Sequence, residues 1–255
     1  MSKDVFGLYA AYYDLLYRDK DYSGEAAYVL RHLQASVPGL KKVLELGSGT
    51  GKHGRLFAQE DLDIFGVELS ADMVAEANRQ PCPPGNGNFT SMQSDIRDLN
   101  LDKTFDAVIS LFHVVSYQTT NEDLERTFAV AAKHLRQGGA FLFDVWHGPA
   151  VLSDRPAVRI KRLENNDIGL VRIAEPEIDT NASVVTVNYT MLVDSKRNHH
   201  RETFKEAHRM RYLFPVEIEM LGRRAGFKVE CCEEFLSGKP ATDKTWGVAY
   251  ILRRI

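Results

Sequence analysis

The spacing of apolar positions changes twice along the chain, and each spacing predicts a different kind of element. Over residues 5–33, Phe6, Tyr9, Tyr12, Tyr13, Leu16 and Tyr17, then Ala26, Tyr28, Val29 and Leu33, recur at helical intervals, which predicts two helices parted by a turn over 18–23. From 40 to 145 short apolar runs alternate with amphipathic stretches. Strands are predicted over 43–46, 64–67, 105–111 and 140–145, a further segment ends at Asp95-Ile96, and Ser70 caps a helix over 71–79. Such alternation predicts a parallel sheet with helices on both faces and ligands beyond the carboxyl ends of its strands.

From residue 151 the helical rhythm stops. Runs over 158–163, 169–178, 183–193 and 202–212 alternate or are β-branched and are separated by Asn- and Asp-rich turns, which predicts an antiparallel meander. A helix over 215–225, stopped by Gly226, and strands over 228–235 and 246–252 complete the chain. The organisation expected is a helical cap and α/β core over 1–150, an inserted β-sheet over 151–214, and a helix and two strands over 215–255 that finish the core sheet.

The first strand runs into Glu45-Leu46-Gly47-Ser48-Gly49-Thr50-Gly51-Lys52-His53. Alternate glycines permit a sharp turn and let a ligand approach bare backbone, and the helix start that follows offers unpaired N–H groups. A dinucleotide fingerprint would need glycine where Lys52 stands, and a P-loop would need Ser or Thr where His53 stands, so both phosphate readings are weakened. Acids close three successive strands: Glu45, Glu68 and Asp95. A carboxylate at 68 suits a ribose diol, because it accepts both hydroxyl protons.

The pattern acid-x-G-x-G-x-G, with acids after the next two strands, resembles the class I S-adenosylmethionine-dependent methyltransferases. The resemblance implies a Rossmann-like sheet, here with an antiparallel β-meander inserted after strand five, and S-adenosyl-L-methionine as cofactor. It implies that the cofactor's methionine end lies across the glycines, that Glu68 takes the ribose, and that Asp95 takes the adenine amino group with Ile96 beside the ring. The full cofactor set expected is Tyr22, Glu45, Gly47, Ser48, Gly49, Thr50, Gly51, His53, Glu68, Leu69, Met73, Asp95, Ile96 and Leu111.

The N-terminal run Tyr13-Asp14-Leu15-Leu16-Tyr17, followed by Lys20-Asp21-Tyr22, is similar to the cap of bacterial methyltransferases that act on nucleotide-linked amino sugars. In those enzymes the segment folds over the cofactor and lends a tyrosine to the substrate pocket. By that comparison Tyr13 is the first candidate, ahead of Tyr17 and Tyr22. Their inserted sheet roofs the acceptor site and often helps to form a dimer, so a homodimer is one expectation here.

After strand four comes Phe112-His113-Val114-Val115-Ser116-Tyr117-Gln118. The sugar N-methyltransferases tend to carry histidine near the place of Tyr117 and a small residue near that of His113, so the polar groups are exchanged. Tyr13, His113, Tyr117 and His208 are the catalytic candidates, with an imidazole serving as base if the acceptor is a hydroxyl. Tyr17, Trp146, His147, Arg209 and Arg211 are the acceptor-binding candidates. Alternation puts His208 and Met210 on one face of their strand and Arg209 and Arg211 on the other, so one pair alone can line a pocket.

Composition narrows the partners. The 255 residues carry a formal charge of −3, without the broad basic face that long nucleic acid requires. The cysteines Cys82, Cys231 and Cys232 form no C-x-x-C pair, and Asp144 has no adjacent carboxylate, so no metal site is expected and a reducing, cytoplasmic setting is. No stretch approaches the length of a membrane span or a signal peptide. The expected function is methylation of the amine or hydroxyl of a small, nucleotide-linked sugar. Methylation of another metabolite, cofactor binding without catalysis, and a nicotinamide oxidoreductase remain as alternatives.

Overall fold

The computed structural model describes residues 12–81, 84–197 and 200–255, apart from the side chains of Tyr13 and Asp14. Strand β1 (Lys42–Leu46) is buried from Val43 to Leu46, as a central strand covered on both faces must be. It pairs in parallel with β2 (Asp63–Glu68) on one side and β4 (Phe105–Ser110) on the other. Beyond these lie β3 (Asn88–Gln93) and β5 (Leu135–Trp146), both parallel to their neighbours. Two later strands, β10 (Phe227–Glu234) and β11 (Gly247–Arg254), form an antiparallel pair, and β11 lies antiparallel along β5. The order across this seven-stranded sheet is β10-β11-β5-β4-β1-β2-β3.

The reversal of strand order at β1 puts the loop after it where the crevice of a doubly wound sheet opens. Each face of the sheet is packed by its own apolar cluster, one containing Leu44, Phe128, Phe141 and Leu221, the other Val29, Leu33, Phe57 and Ile109. Strand five starts earlier than its alternation predicts. The segment containing Gly138 and Gly139 is a bulge inside β5: the pairing with β4 jumps from Phe105 with Leu135 to Ala107 with Ala140, and Gly138 takes φ +73.

The predicted meander forms a separate four-stranded antiparallel sheet of β6 (Arg159–Glu164), β7 (Ile168–Asp179), β8 (Val184–Ser195) and β9 (Arg201–Arg211), in that order. The short helix α1 (Tyr13–Leu16) is held against one end of it, with Leu16 fully buried among Leu163, Leu170, Met191, Val193 and Phe204. Helix α2 (Tyr22–Ser36) starts at Asp21, whose carboxylate accepts the Gly24 N–H at 2.8 Å. Residues 5–11 of the first predicted helix, Phe6 and Tyr9 among them, lie outside the described residues. No helix among the described residues is long and apolar enough to cross a membrane.

Candidate active site

A cavity of about 330 Å³ opens at the carboxyl ends of β1, β2 and β4 and continues beneath the meander. Its floor is the loop from Gly47 to Lys52. Gly49 takes φ +53, and a Cβ built there would meet no atom within 4 Å, so the loop turns bare backbone toward open space. The strand-end acid of β2 braces this loop. Glu68 accepts the Gly49 N–H at 3.0 Å through one carboxylate oxygen and the Ser70 N–H at 2.9 Å through the other. Burial pushes the Glu68 carboxyl up, against the opposing pull of the backbone N–H groups of Ser70, Gly49 and Leu69.

Leu69, Met73, Asp95, Ile96 and Leu111 continue the wall past Glu68. Asp95 is held by Arg97, which donates from its backbone N–H (2.9 Å) and its guanidinium (2.5–3.2 Å) and also reaches Asp123 at 2.7 Å. The Arg97 hydrogen bonds outweigh burial and keep the Asp95 carboxyl below its usual range.

The N-terminal segment crosses the mouth. Tyr17 packs edge-on against Phe112 with ring centres 4.9 Å apart, and the Lys20 ammonium lies 4.5 Å from the Phe112 ring centre. Lys20 also pairs with Glu25, which bonds His53 Nε2 at 2.8 Å, and Tyr22 packs against the His53 ring. Phe112 thus meets this segment twice, at Tyr17 and at Lys20. It and His113 both take positive φ, +65 and +61, a conformation costly for non-glycine residues and persistent only where the surroundings enforce it. Here the enforcing group is Asp144, fully buried at the end of β5, which accepts the His113 backbone N–H and lies 2.7 Å from His113 Nδ1.

The far half of the cavity is lined from the meander by Arg172 on β7, Val187 and Tyr189 on β8, and His208 and Met210 on β9, facing Tyr117, Gln118 and Trp146. Tyr117 Oη and His208 Nδ1 are 2.8 Å apart, and His208 Nε2 is 3.3 Å from Glu206. Burial raises the Tyr117 phenol well above its ordinary value and the Tyr189 phenol to about 12. Gln118 is 2% exposed, and its Oε1 is a buried acceptor without a partner among the described residues.

Several expected site residues stand elsewhere. Glu45 is buried behind the glycine loop and does not line the cavity: an added Cβ at Gly54 would lie 2.9 Å from its carboxylate. Burial and the nearby Glu68 charge push its carboxyl up to about 8, with Arg55 opposing. Gly51 faces the core, where a Cβ would come within 2.5 Å of the Phe89 ring, so its glycine serves packing. His147 is 4% exposed and precedes the short helix Gly148–Ser153, outside the cavity lining.

Arg209 and Arg211 project from the outer face of β9. Arg209 is exposed, and Arg211 ties the meander to the core through Asn121 and Glu217, each at 2.8 Å. The side chain of Tyr13 lies outside the described residues. Lys52, Phe112, Val114, Gln118, Arg172, Val187, Tyr189 and Met210 line the cavity without having been singled out as contacts from sequence. For Arg172, Val187 and Tyr189 a signal existed, since each sits on a predicted strand in the alternation set shared with its buried neighbours.

Comparison with known proteins gives the family. Residues 43–139 match the family described as Methyltransferase domain. The chain is 31% identical over 234 residues to the dTDP-3-amino-3,4,6-trideoxy-alpha-D-glucopyranose N,N-dimethyltransferase of Streptomyces venezuelae, covering 91% of this chain and 94% of that one. It is 27% identical over 240 residues to the dTDP-3-amino-3,6-dideoxy-alpha-D-glucopyranose N,N-dimethyltransferase of Streptomyces fradiae, covering 93% and 89%. Among solved structures, Streptomyces venezuelae DesVI matches with TM-score 0.78 at 27% identity over 95% of this chain and 97% of that one. An amino pentose methyltransferase from Micromonospora echinaspora shares the fold, with TM-score 0.77 at 24% identity over 98% of both chains.

Proposed function

Since the chain belongs to the S-adenosylmethionine-dependent methyltransferases, we propose that it methylates the amine of a nucleotide-linked amino sugar. The observation that carries this reading is one continuous cavity with two different walls: a glycine loop and carboxylates on the core sheet, and a polar, aromatic wall on the meander. The two relatives, dTDP-amino-sugar N,N-dimethyltransferases that the chain matches along nearly their whole length, support the same acceptor class.

The core wall suits the cofactor on its own chemistry. The space beside Gly49 is open to a ligand, the Glu68 carboxylate sits at the loop's edge with lone pairs for a diol, and the carboxylate of Asp95 lies farther along beside apolar Ile96. S-adenosylmethionine supplies an electrophilic methyl group on a sulfonium. The protein's part is to hold a neutral amine in line with that methyl and to exclude water, since positioning accounts for much of the rate of such a displacement. Tyr17, Lys20 and Tyr22 close the mouth over Phe112 and His53, while Trp146, Arg172 and Tyr189 are placed to receive the sugar.

The test is calorimetric titration with S-adenosylhomocysteine, followed by incubation with S-adenosylmethionine and dTDP-3-amino-3,6-dideoxy-α-D-glucose, with the products read by mass spectrometry. Saturable binding and a methylated amine are expected. Tight cofactor binding with no methylation of any amino-sugar nucleotide would overturn the acceptor assignment.

A further inference from the structure

The reaction poses a proton problem that the meander is built to address. At neutral pH a sugar amine is largely an ammonium, which has no lone pair with which to attack. Tyr117 lines the acceptor half of the cavity, and behind it stand two further polar groups in a row. Tyr117 Oη is 2.8 Å from His208 Nδ1, and His208 Nε2 is 3.3 Å from the carboxylate of Glu206. His208 and Glu206 sit two positions apart on one face of β9, and their side chains are 3% and 8% exposed.

The direction of this row follows from the acceptor at its end. A carboxylate accepts only, so the proton of a neutral His208 belongs on Nε2, and Nδ1 is left to accept the Tyr117 O–H. A phenolic oxygen that donates its proton in this way keeps acceptor capacity of its own.

We infer that Tyr117, His208 and Glu206 form a proton relay that deprotonates the incoming sugar ammonium, with Glu206 as the residue that positions His208. The inference rests on the amino-sugar reading above. In the step, an ammonium N–H bond breaks and its proton passes to Tyr117 Oη as the phenolic proton passes to His208 Nδ1. The products are a neutral amine with a free lone pair, an intact phenol, and an imidazolium beside the Glu206 carboxylate. No outside reactant is required.

The groups around the relay are compatible with it. Tyr189 of β8 packs edge-on against His208 with ring centres 5.0 Å apart, and the Arg172 guanidinium of β7 covers the other ring, 5.1 Å from the Tyr189 centre. Tyr17 from the N-terminal segment and Glu68 from the core sheet also act on Tyr117. Burial and these neighbours keep the phenol neutral, so it passes a proton on rather than holding a charge.

The experiment compares wild type with Glu206→Gln and Glu206→Asp, using dTDP-3-amino-3,6-dideoxy-α-D-glucose as acceptor. Glu206→Gln should lower kcat/KM near pH 7 by about tenfold or more, as expected for loss of general-base assistance. The deficit should shrink at a pH above the acceptor amine's own pKa, where the amine arrives neutral. Glu206→Asp should restore part of the loss, and S-adenosylhomocysteine affinity should not change. A deficit equal at both pH values would overturn the relay and leave Glu206 a structural residue.

A second readout needs no turnover. In wild type the ¹⁵N signals of His208 should report the Nε2-protonated tautomer, with Nδ1 accepting from Tyr117. A neutral ring protonated on Nδ1 overturns the relay. Absence of amino-sugar methylation by wild type would instead overturn the functional reading, and the tautomer would still decide whether the row runs from Tyr117 to Glu206.

Discussion

Asp144 Oδ2 lies 2.7 Å from His113 Nδ1, and the same carboxylate accepts the His113 backbone N–H at 3.2 Å, so one buried acid fixes both the ring and its strained backbone. Burial alone would raise the Asp144 carboxyl, but the charge and hydrogen bonds of His113 hold it below the usual carboxylate range. Its consequence reaches the N-terminal segment, because the neighbouring Phe112 packs against Tyr17 and Lys20.

Asp144→Asn is expected to cost roughly 1–3 kcal/mol, the usual worth of hydrogen bonds to a charged group. An acid whose folded pKa is depressed contributes stability above its unfolded pKa and loses it as pH falls through the folded value. The gap between wild type and variant in denaturant titrations should therefore be full at pH 7 and close below about pH 4.

Glu45 has the opposite sign. Its carboxyl is raised to about 8 by burial and by Glu68, so the folded protein retains a proton that the unfolded chain releases above about pH 4.3. Stability falls progressively between those limits. Glu45→Gln removes this cost, and thermal melts should show a gain in Tm that is larger at pH 8 than at pH 5. No difference between the two pH values would mean that Glu45 is charged in the fold.

Glu68→Ala should weaken S-adenosylhomocysteine binding by about 1–3 kcal/mol in titration calorimetry, through loss of a charged acceptor. Because Glu68 also braces the N–H groups of Gly49 and Ser70, the substitution should lower Tm as well. Unchanged affinity would remove the ribose role.

Gly49 and Gly51 should part company when each is replaced by alanine. Both take positive φ, but only Gly51 has the Phe89 ring within 2.5 Å of an added Cβ. Gly51→Ala is expected to cost the larger share of stability, about 1–3 kcal/mol from overpacking. Gly49→Ala should chiefly reduce cofactor affinity. Denaturant titration and calorimetry on both variants separate the two effects.

Periodicity made the architecture legible, since 2.0- and 3.6-residue spacing are local properties, and the meander strands begin and end within two residues of their predicted limits. Residues were harder to place wherever their position depends on what lies behind them. Glu45 stands one residue before the end of β1 and Glu68 at the end of β2, yet the loop folds over one and leaves the other at the cavity. Alternation separated His208 from Arg209 and Arg211 without telling which face turns inward. That depends on how the second sheet docks, with Arg211 bonded to Asn121 and Glu217 on the outside. Arg172 and Tyr189 needed the register as well: Tyr189 lies opposite Glu206, and Val187 opposite His208, a correspondence that no single strand encodes.

The two walls of the cavity also come from different stretches of chain. Most of the core-sheet wall is built between residues 47 and 111, whereas on the meander wall Arg172, Val187, Tyr189, His208 and Met210 all fall within one uninterrupted span, 172–210. If the meander wall receives the acceptor, as proposed above, changes of acceptor can accumulate largely within one contiguous cassette and leave the glycine loop and the central sheet unaltered.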